Sequence, residues 1–488
     1  DQQQQRISEF FHAQVCGNGH AVYIQLVSQQ KQTRDERAIL GLLFVGVLMG
    51  ALDIAIVAPA LPALRAAFHT DERSIAWVLT AYVLCNLIGT PVMATFSDAR
   101  GRRPVYMIAV TIFAVGSLLV SISRTFGFLL VGRAIQGFGA GGIFPVATAV
   151  IGDIFPVERR GRALGLIGAV FGLAFIVGPI VGGLLLLLGW PFLFLLNLPI
   201  AAYVLWRART LLPVTKAVNA RSVDVFGLLL LSITLFSLAF GLNRIDAEDF
   251  FHSITTTRVW PFLLTAVVVA PLFWLRQVRV KYPLINPSLF KSRQVVIASA
   301  LSLGAGLSES AIVFVPALLV AAFAVTNSKA SFMLLPIVFA MAVGAPLSGR
   351  MLDRVGSRIV IITGCALIGI GLLLVGMGVP SLTGFYTAGI IIGLGLAALL
   401  GSSLRYIMLN EAAADQRGAA QGVLTLFTST GQLLGAAVVG AVVASHGGDI
   451  RGYDIAFNIV GACLLALALI SVGLKNRQAE LIGARRER

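Results

Sequence analysis

Charge is scarce in this chain. Only 12% of its 488 residues are Asp, Glu, Lys or Arg, against about 25% in a soluble protein. No hydrophilic block breaks the stretch from Ala38 to Leu474. Cysteine is rarer still. Cys16, Cys85, Cys365 and Cys463 lie far apart, with no Cys-x-x-Cys pair and no Cys/His cluster, which argues against a disulfide framework and a structural metal. The five histidines (His12, His20, His69, His252 and His446) all read as tail or loop. The chain has neither a Gly-x-Ser-x-Gly elbow nor a Gly-Lys-Ser/Thr phosphate loop, so a hydrolase and an ATP-driven pump are poor readings. No enzyme chemistry, cofactor or metal is expected.

Apolar residues are abundant, at 57% of the chain, and the mean hydropathy is +0.90. A membrane helix needs about 20 such residues at 1.5 Å rise each. Reading apolar runs between polar punctuation predicts fourteen spans, an all-α polytopic membrane protein. The net charge of +15 would suggest nucleic acid in a soluble chain. Here most of the Lys and Arg fall in the two tails and in every second loop. That alternation requires an even number of spans, excludes nucleic acid as the partner, and predicts that both termini are cytoplasmic in a cell (inner) membrane. The stretch before Arg37 is Gln-rich and lacks an apolar core, so it reads as a polar tail (1–37) rather than a secretory signal. A weak amphipathic helix at Ile7–Val27 fits its pattern.

Under the hydropathy lies a repeat. Asp98-Ala-Arg-Gly101-Arg-Arg103 is echoed by Asp353-Arg-Val-Gly356-Ser-Arg358. Arg160-Gly161-Arg-Ala163-Leu-Gly165 is echoed by Arg417-Gly418-Ala-Ala420-Gln-Gly422 at nearly the same offset. Two six-helix halves follow, 38–206 and 295–474, joined by a linker (207–294) with two extra spans and trailed by a basic tail (475–488). Parallel halves with a substrate site between them are a recurrent transporter plan. The same offset pairs Asp53 with Glu309, each midway along the first helix of its half. An ionised carboxylate at such depth is costly unless paired, hydrated or protonated, and intramembrane acids are functional by default. With no histidine in the spans, these acids are the candidates for carrying a proton.

Several further stretches speak together. They are the Asp98–Pro104 loop and its copy Gly349–Arg358, Arg133-Ala-Ile-Gln136-Gly137, and the run Gly172, Gly178-Pro179, Gly182-Gly183. To these add Leu52-Asp53 through Ala60-Leu61-Pro62, Trp190 with Asn197-Leu-Pro199, and Pro283-Leu with Ser288-Leu-Phe290. Jointly they resemble the major facilitator superfamily, specifically its fourteen-spanning drug:proton antiporter branch, over roughly Leu40–Leu474. The resemblance implies the major facilitator fold and proton-coupled export of hydrophobic or amphiphilic small molecules by alternating access. It implies a monomer among membrane lipids. It also implies that Arg133 lies close to the acid of the first helix and modulates its protonation. The small-residue run corresponds to the antiporter motif.

The loops suggest a latch. Asp98 can accept from backbone N–H groups near Gly418, where a helix dipole favours an anion. Arg102 or Arg103 can meet Asp153 or Glu158, and Asp353 with Arg417 and Asp415 would mirror them weakly beside Gly356 and Arg358. Arg405, near the cytoplasmic end of its helix, is expected to snorkel. Asn86, Gln136, Phe138, Phe175 and Asn197 are the candidates for lining a substrate cavity. Ala55 and Ala58 stand where the branch has Thr and Asn, leaving an apolar first helix that suits lipid-like cargo as well. Transport of lipid between leaflets is therefore the alternative, and a non-transporting scaffold or sensor the more distant one.

Overall fold

The computed structural model of the chain describes residues 35–486, apart from 58–59, 71, 76, 215–223, 246–249, 326, 379–380 and 448. The polar tail, with its amphipathic stretch Ile7–Val27, lies outside the described residues. Among the described residues every regular element is helical, and fourteen helices are long and apolar enough to cross a membrane.

In the first half these are α1 (Asp35–Val57), α2 (Trp77–Arg100), α3 (Arg102–Ser121), α4 (Phe126–Ile154), α5 (Val157–Leu186) and α6 (Pro191–Leu211). The insert supplies α7 (Val225–Asn243) and α8 (Trp260–Arg279). The second half holds α9 (Arg293–Phe323), α10 (Leu335–Val355), α11 (Ser357–Gly376), α12 (Leu382–Glu411), α13 (Arg417–Ser445) and α14 (Ile450–Gly473). Leu187 and Leu469 remain 83% and 76% exposed on the outer surface, as a bilayer-facing perimeter requires.

Local chemistry sets several boundaries. Thr125, Asp224 and Ser381 cap α4, α7 and α12 through side-chain oxygens. Gly101 and Gly356 end α2 and α10 at φ +96° and +85°. Only glycine enters that region without strain, which explains why the Asp-x-x-Gly spacing recurs in both halves. Pro316 starts a new segment within α9, breaking it after Val313. In α12 the residues Leu399–Ser403 form a π-turn.

Two apolar cores build the molecule. One is centred on α1 and α3–α6, the other on α9–α14 with parts of the insert. The halves meet along α2–α13 and α5–α10. Small residues make the second seam possible: a Cβ on Gly165 would sit 2.5 Å from the Ala345 carbonyl, and one on Gly172 2.6 Å from the Ala342 side chain. Helix α7 leans on α2 and α13, with the Trp77 and Phe240 rings tilted against each other at 5.6 Å between centroids. The insert therefore covers one of the two seams. A strap after α8 is pinned to α2, because Thr95 Oγ1 donates to the Leu284 carbonyl at 3.0 Å.

Arg477–Arg486 forms α15. Glu480 accepts from both the backbone N–H and the hydroxyl of Ser357, satisfying the first turn of α11. Arg477 Nη1 donates to Tyr406 Oη at 2.6 Å.

Candidate functional site

Asp53 sits on α1, 3% exposed, and its carboxylate is fully engaged. Arg133 Nη1 donates to Oδ2 at 2.7 Å. Gln136 Nε2 and Asn197 Nδ2 donate to Oδ1 at 2.7 and 3.0 Å. Arg133 and Gln136 are one turn apart on α4 and so share a face, and Arg133 Nη1 also donates to Gln136 Oε1 at 2.6 Å. Ser117 on α3 accepts from Gln136 at 2.8 Å and closes the network. Arg133 Nε reaches the Val78 carbonyl at 3.0 Å, and its guanidinium lies 4.3 Å from the Tyr82 ring centroid. Close helix approach makes this geometry possible, since neither Gly116 nor Gly137 has room for a Cβ.

A central cavity of about 280 Å³ lies between the halves. Asn86, Phe144, Phe171 and Phe175 line it from the first half; Glu309, Arg405 and Gln432 line it from the second. Tyr82 forms part of the wall and covers Arg133, so the Asp53 network lies behind that ring rather than on the cavity surface. Of the sequence candidates for the cavity, Asn86 and Phe175 line it. Gln136 and Asn197 are buried with Asp53, their amides turned to the carboxylate. Phe138 packs into the first core instead.

Glu309 accepts from Gln432 Nε2 at 2.7 Å. The flanking Ser308 and Ser310 hydroxyls donate to carbonyls of their own helix, Ala305 and Leu307, and not to the carboxylate. Arg405 does not snorkel to the bundle end. Its guanidinium stacks 3.9 Å from the Phe144 centroid, across the interface between halves. The π-turn before it shifts the helical phase, a correction that no apolar pattern could supply.

The latch is assembled at one end of the bundle. Asp98 accepts from the Gly418 and Ala419 N–H groups at 2.9 and 2.7 Å and pairs with Arg102. Arg102 Nε also reaches Asp153 at 2.8 Å, and Asp153 pairs with Arg417 at 2.8 Å. Arg102 therefore fills the role considered for either Arg102 or Arg103; Arg103 is half-buried nearby, and Glu158 is exposed at the start of α5. The second half differs from the expected mirror. Asp353 accepts from the Gly161 and Arg162 N–H groups at 2.8 and 2.9 Å, while Arg417 goes to Asp153. Each Asp thus accepts from backbone N–H groups near the start of a helix of the opposite half, Asp98 in the first turn of α13 and Asp353 in the second turn of α5. Arg358 is half-buried at the start of α11 beyond Gly356, on the same end of the bundle.

In the small-residue run, Gly172 faces Ala342, Gly178 faces Ala55 and Gly182 faces Ile56, whereas Gly183 meets nothing within 4 Å. Pro179 belongs to the same helix, its side chain outside the described ones. Sequence reasoning missed Ser117, Tyr82, Phe144 and Gln432. Each is an ordinary residue on an apolar helix and carries no motif. Among the described residues no group of three His, Cys, Asp or Glu could hold a metal.

Comparison with known proteins identifies a family and a fold. The profile of the Major Facilitator Superfamily matches residues 43–288 and 296–487. Multidrug resistance protein 3 of Bacillus subtilis (strain 168) is 29% identical over 84% of this chain and 80% of its own length. The tetracenomycin C resistance and export protein of Streptomyces glaucescens is 31% identical over 83% of this chain and 76% of its own. The crystal structure of the human organic anion transporter MFSD10 superposes with a TM-score of 0.65 at 19% identity, covering 89% of this chain and 99% of that one, a likeness of fold alone.

Proposed function

The chain belongs to the Major Facilitator Superfamily and is a multi-pass membrane transporter; from that premise we propose that it exports hydrophobic or amphiphilic small molecules in exchange for protons. Its carrying observation is Asp53: an acid deep in the bundle, held by one cation and two amides, one aromatic ring away from the cavity. While ionised, the carboxylate clamps Arg133 on α4 to α1. A proton on Asp53 removes the charge that holds the guanidinium, and α1 and α4 can then shift against each other. Glu309 is a second acid, open to the cavity, that can take part in the exchange or recognise a cation.

Alternating access requires the latch to break and re-form. In this structure Asp98, Arg102, Asp153, Asp353 and Arg417 close the end that carries the basic loops. We assign that end to the cytoplasm, with both termini there, in the cell (inner) membrane. Gly172, Gly178 and Gly182 provide the smooth helix surfaces on which α5 rocks against α10 and α1. The transporter works as a monomer.

Purified protein in liposomes with an imposed pH gradient tests the reading. A panel of amphiphilic dyes is offered and dye movement is followed together with lumenal pH. Asp53→Asn is expected to abolish gradient-driven dye movement while remaining monodisperse and correctly inserted. Wild-type exchange in that variant overturns the coupling.

A further inference from the structure

The cavity wall from the second half carries a cation that the exchange at Asp53 does not use. Arg405 lies on α12 just past the π-turn Leu399–Ser403. Such single-turn widenings recur at functional sites. Here Ser403 Oγ reaches back five residues to the Ala398 carbonyl at 2.8 Å, as that register allows. The result is a stripe of Ala397, Leu400, Gly401 and Arg405 facing the cavity.

Arg405 is poorly satisfied for a guanidinium at this depth. Its Nε is buried and makes no hydrogen bond. The acceptor nearest Nη1 is Gln421 Oε1, at a long 3.4 Å. One face is covered by Phe144 at 3.9 Å, and Phe144 in turn meets Phe171 edge-on at 5.1 Å between centroids. Arg133 also leaves one nitrogen, Nη2, without a hydrogen bond, but it has a carboxylate, an amide and a carbonyl as acceptors at 2.6–3.0 Å, where Arg405 has one amide at 3.4 Å. Buried charges are normally paired, and an unpaired one is costly. Across the cavity Glu309 provides opposite charge, yet it is bonded to Gln432 and makes no ion pair with Arg405.

We propose that Arg405 is the recognition point for an anionic group on the cargo, with the Phe144–Phe171 pair taking the adjoining apolar body. The cargo class is an amphiphile whose aromatic or aliphatic body carries a sulfonate, carboxylate or phosphate. This assignment rests on the cavity being the cargo site. Geometry supports the division of labour: the ring covers one face of the guanidinium, and Arg405 lines the cavity with only one long hydrogen bond from Nη1. Its terminal nitrogens are the donors an oxyanion in the cavity can meet, while two further rings extend the apolar wall. Glu309 and the cargo's anion then compete as the counter-charge of Arg405 within one cavity. Removing the Glu309 charge therefore strengthens anion binding.

Equilibrium dialysis tests this with full-length protein in phosphatidylcholine nanodiscs, empty discs being subtracted. The probes are 1-anilinonaphthalene-8-sulfonate and N-phenyl-1-naphthylamine, which share one body and differ by the sulfonate. Arg405→Gln is expected to weaken the sulfonate about 30-fold, as for a charged hydrogen-bonded pair, and to leave the neutral probe within about twofold. Glu309→Gln is expected to tighten the sulfonate several-fold. Arg405→Lys keeps the charge and should retain part of the preference, which covers a Gln variant that fails to fold. Competition by lysophosphatidylglycerol identifies an anionic lipid as the source of the headgroup; competition by naphthalene-1-sulfonate identifies a soluble aromatic anion.

An unchanged sulfonate-to-neutral ratio in both Arg405 variants overturns the proposal, as does displacement by neither competitor. No gradient is present in this assay. Failure of exchange in Asp53→Asn therefore leaves the sulfonate preference standing, and loss of the preference leaves the exchange reading standing.

Discussion

Asp53 and Glu309 occupy matching places in the first helix of each half, and their surroundings are opposites. Three donors converge on Asp53, among them a buried guanidinium, and Tyr82 seals the group from the cavity. Glu309 has one amide donor and faces open space, while its nearest cation is stacked on an aromatic ring of the other half. A two-fold sequence repeat thus supports two unlike sites, one locked and one receptive. The lesson is that duplication conserves the depth of a charge more readily than its company, because company comes from side chains on three or four other helices.

The contrast yields graded expectations. Arg133→Leu, which strands a buried carboxylate, should destabilise the folded protein by about 3–5 kcal/mol, read as the thermal midpoint in detergent. Pairing it with Asp53→Asn should recover much of the loss. Glu309→Gln should change stability by no more than about 1 kcal/mol, the worth of one exposed hydrogen bond. Equal losses for Arg133→Leu and Glu309→Gln would erase the distinction between locked and receptive.

The two latch carboxylates sharpen it at a lower level. Asp98 has two backbone donors and a buried arginine partner, Asp353 only the backbone donors. Asp98→Asn should lower dye turnover in liposomes about tenfold and Asp353→Asn about threefold, the difference being one charge-assisted contact. The reverse order would show that the second seam, and not the first, sets the closed state.

The smallest effects belong to two acids outside the spans. Burial pushes the Glu480 carboxyl above its ordinary range, against the opposing pull of Ser357 and Arg477. Its contribution to α15 docking is therefore complete below the ordinary glutamate range and fades as pH rises through the folded-state value. At Asp224 burial pushes upward too, but Arg276, the Gly227 N–H and Gln277 outweigh it and hold the carboxyl low. The α7–α8 contact thus keeps its full strength above the ordinary aspartate range and loses it as pH falls. Amide exchange over 477–486 and 225–228, followed against pH, should move in opposite senses. Glu480→Gln should flatten the first profile and Asp224→Asn the second.

Much of the architecture is legible because a bilayer imposes coarse rules. A run of apolar residues has no alternative to a spanning helix. The repeated loops reveal the halves through glycines that must adopt positive φ, as Gly101 and Gly356 do. Asp53, Arg133 and Asp98 stand out as charges or motif residues placed where charge is costly. Less visible was what each would touch. Gln136 and Asn197 looked like cavity residues and turned out to be ligands of Asp53. Arg405 looked like a snorkelling residue because hydropathy reports depth along a helix and not azimuth around it. A π-turn of five residues changes azimuth without altering composition.

Sequence alone determined the number of spans, the two-fold repeat and the depth of the two acids, since each depends on hydrophobic length and local backbone demands that act within a single helix. Tertiary structure decided which acid is clamped and which faces the cavity, which helix each latch carboxylate meets, and that Arg405 lies against Phe144. Those outcomes depend on side chains far apart in the chain meeting across helix interfaces, and no local pattern encodes that meeting.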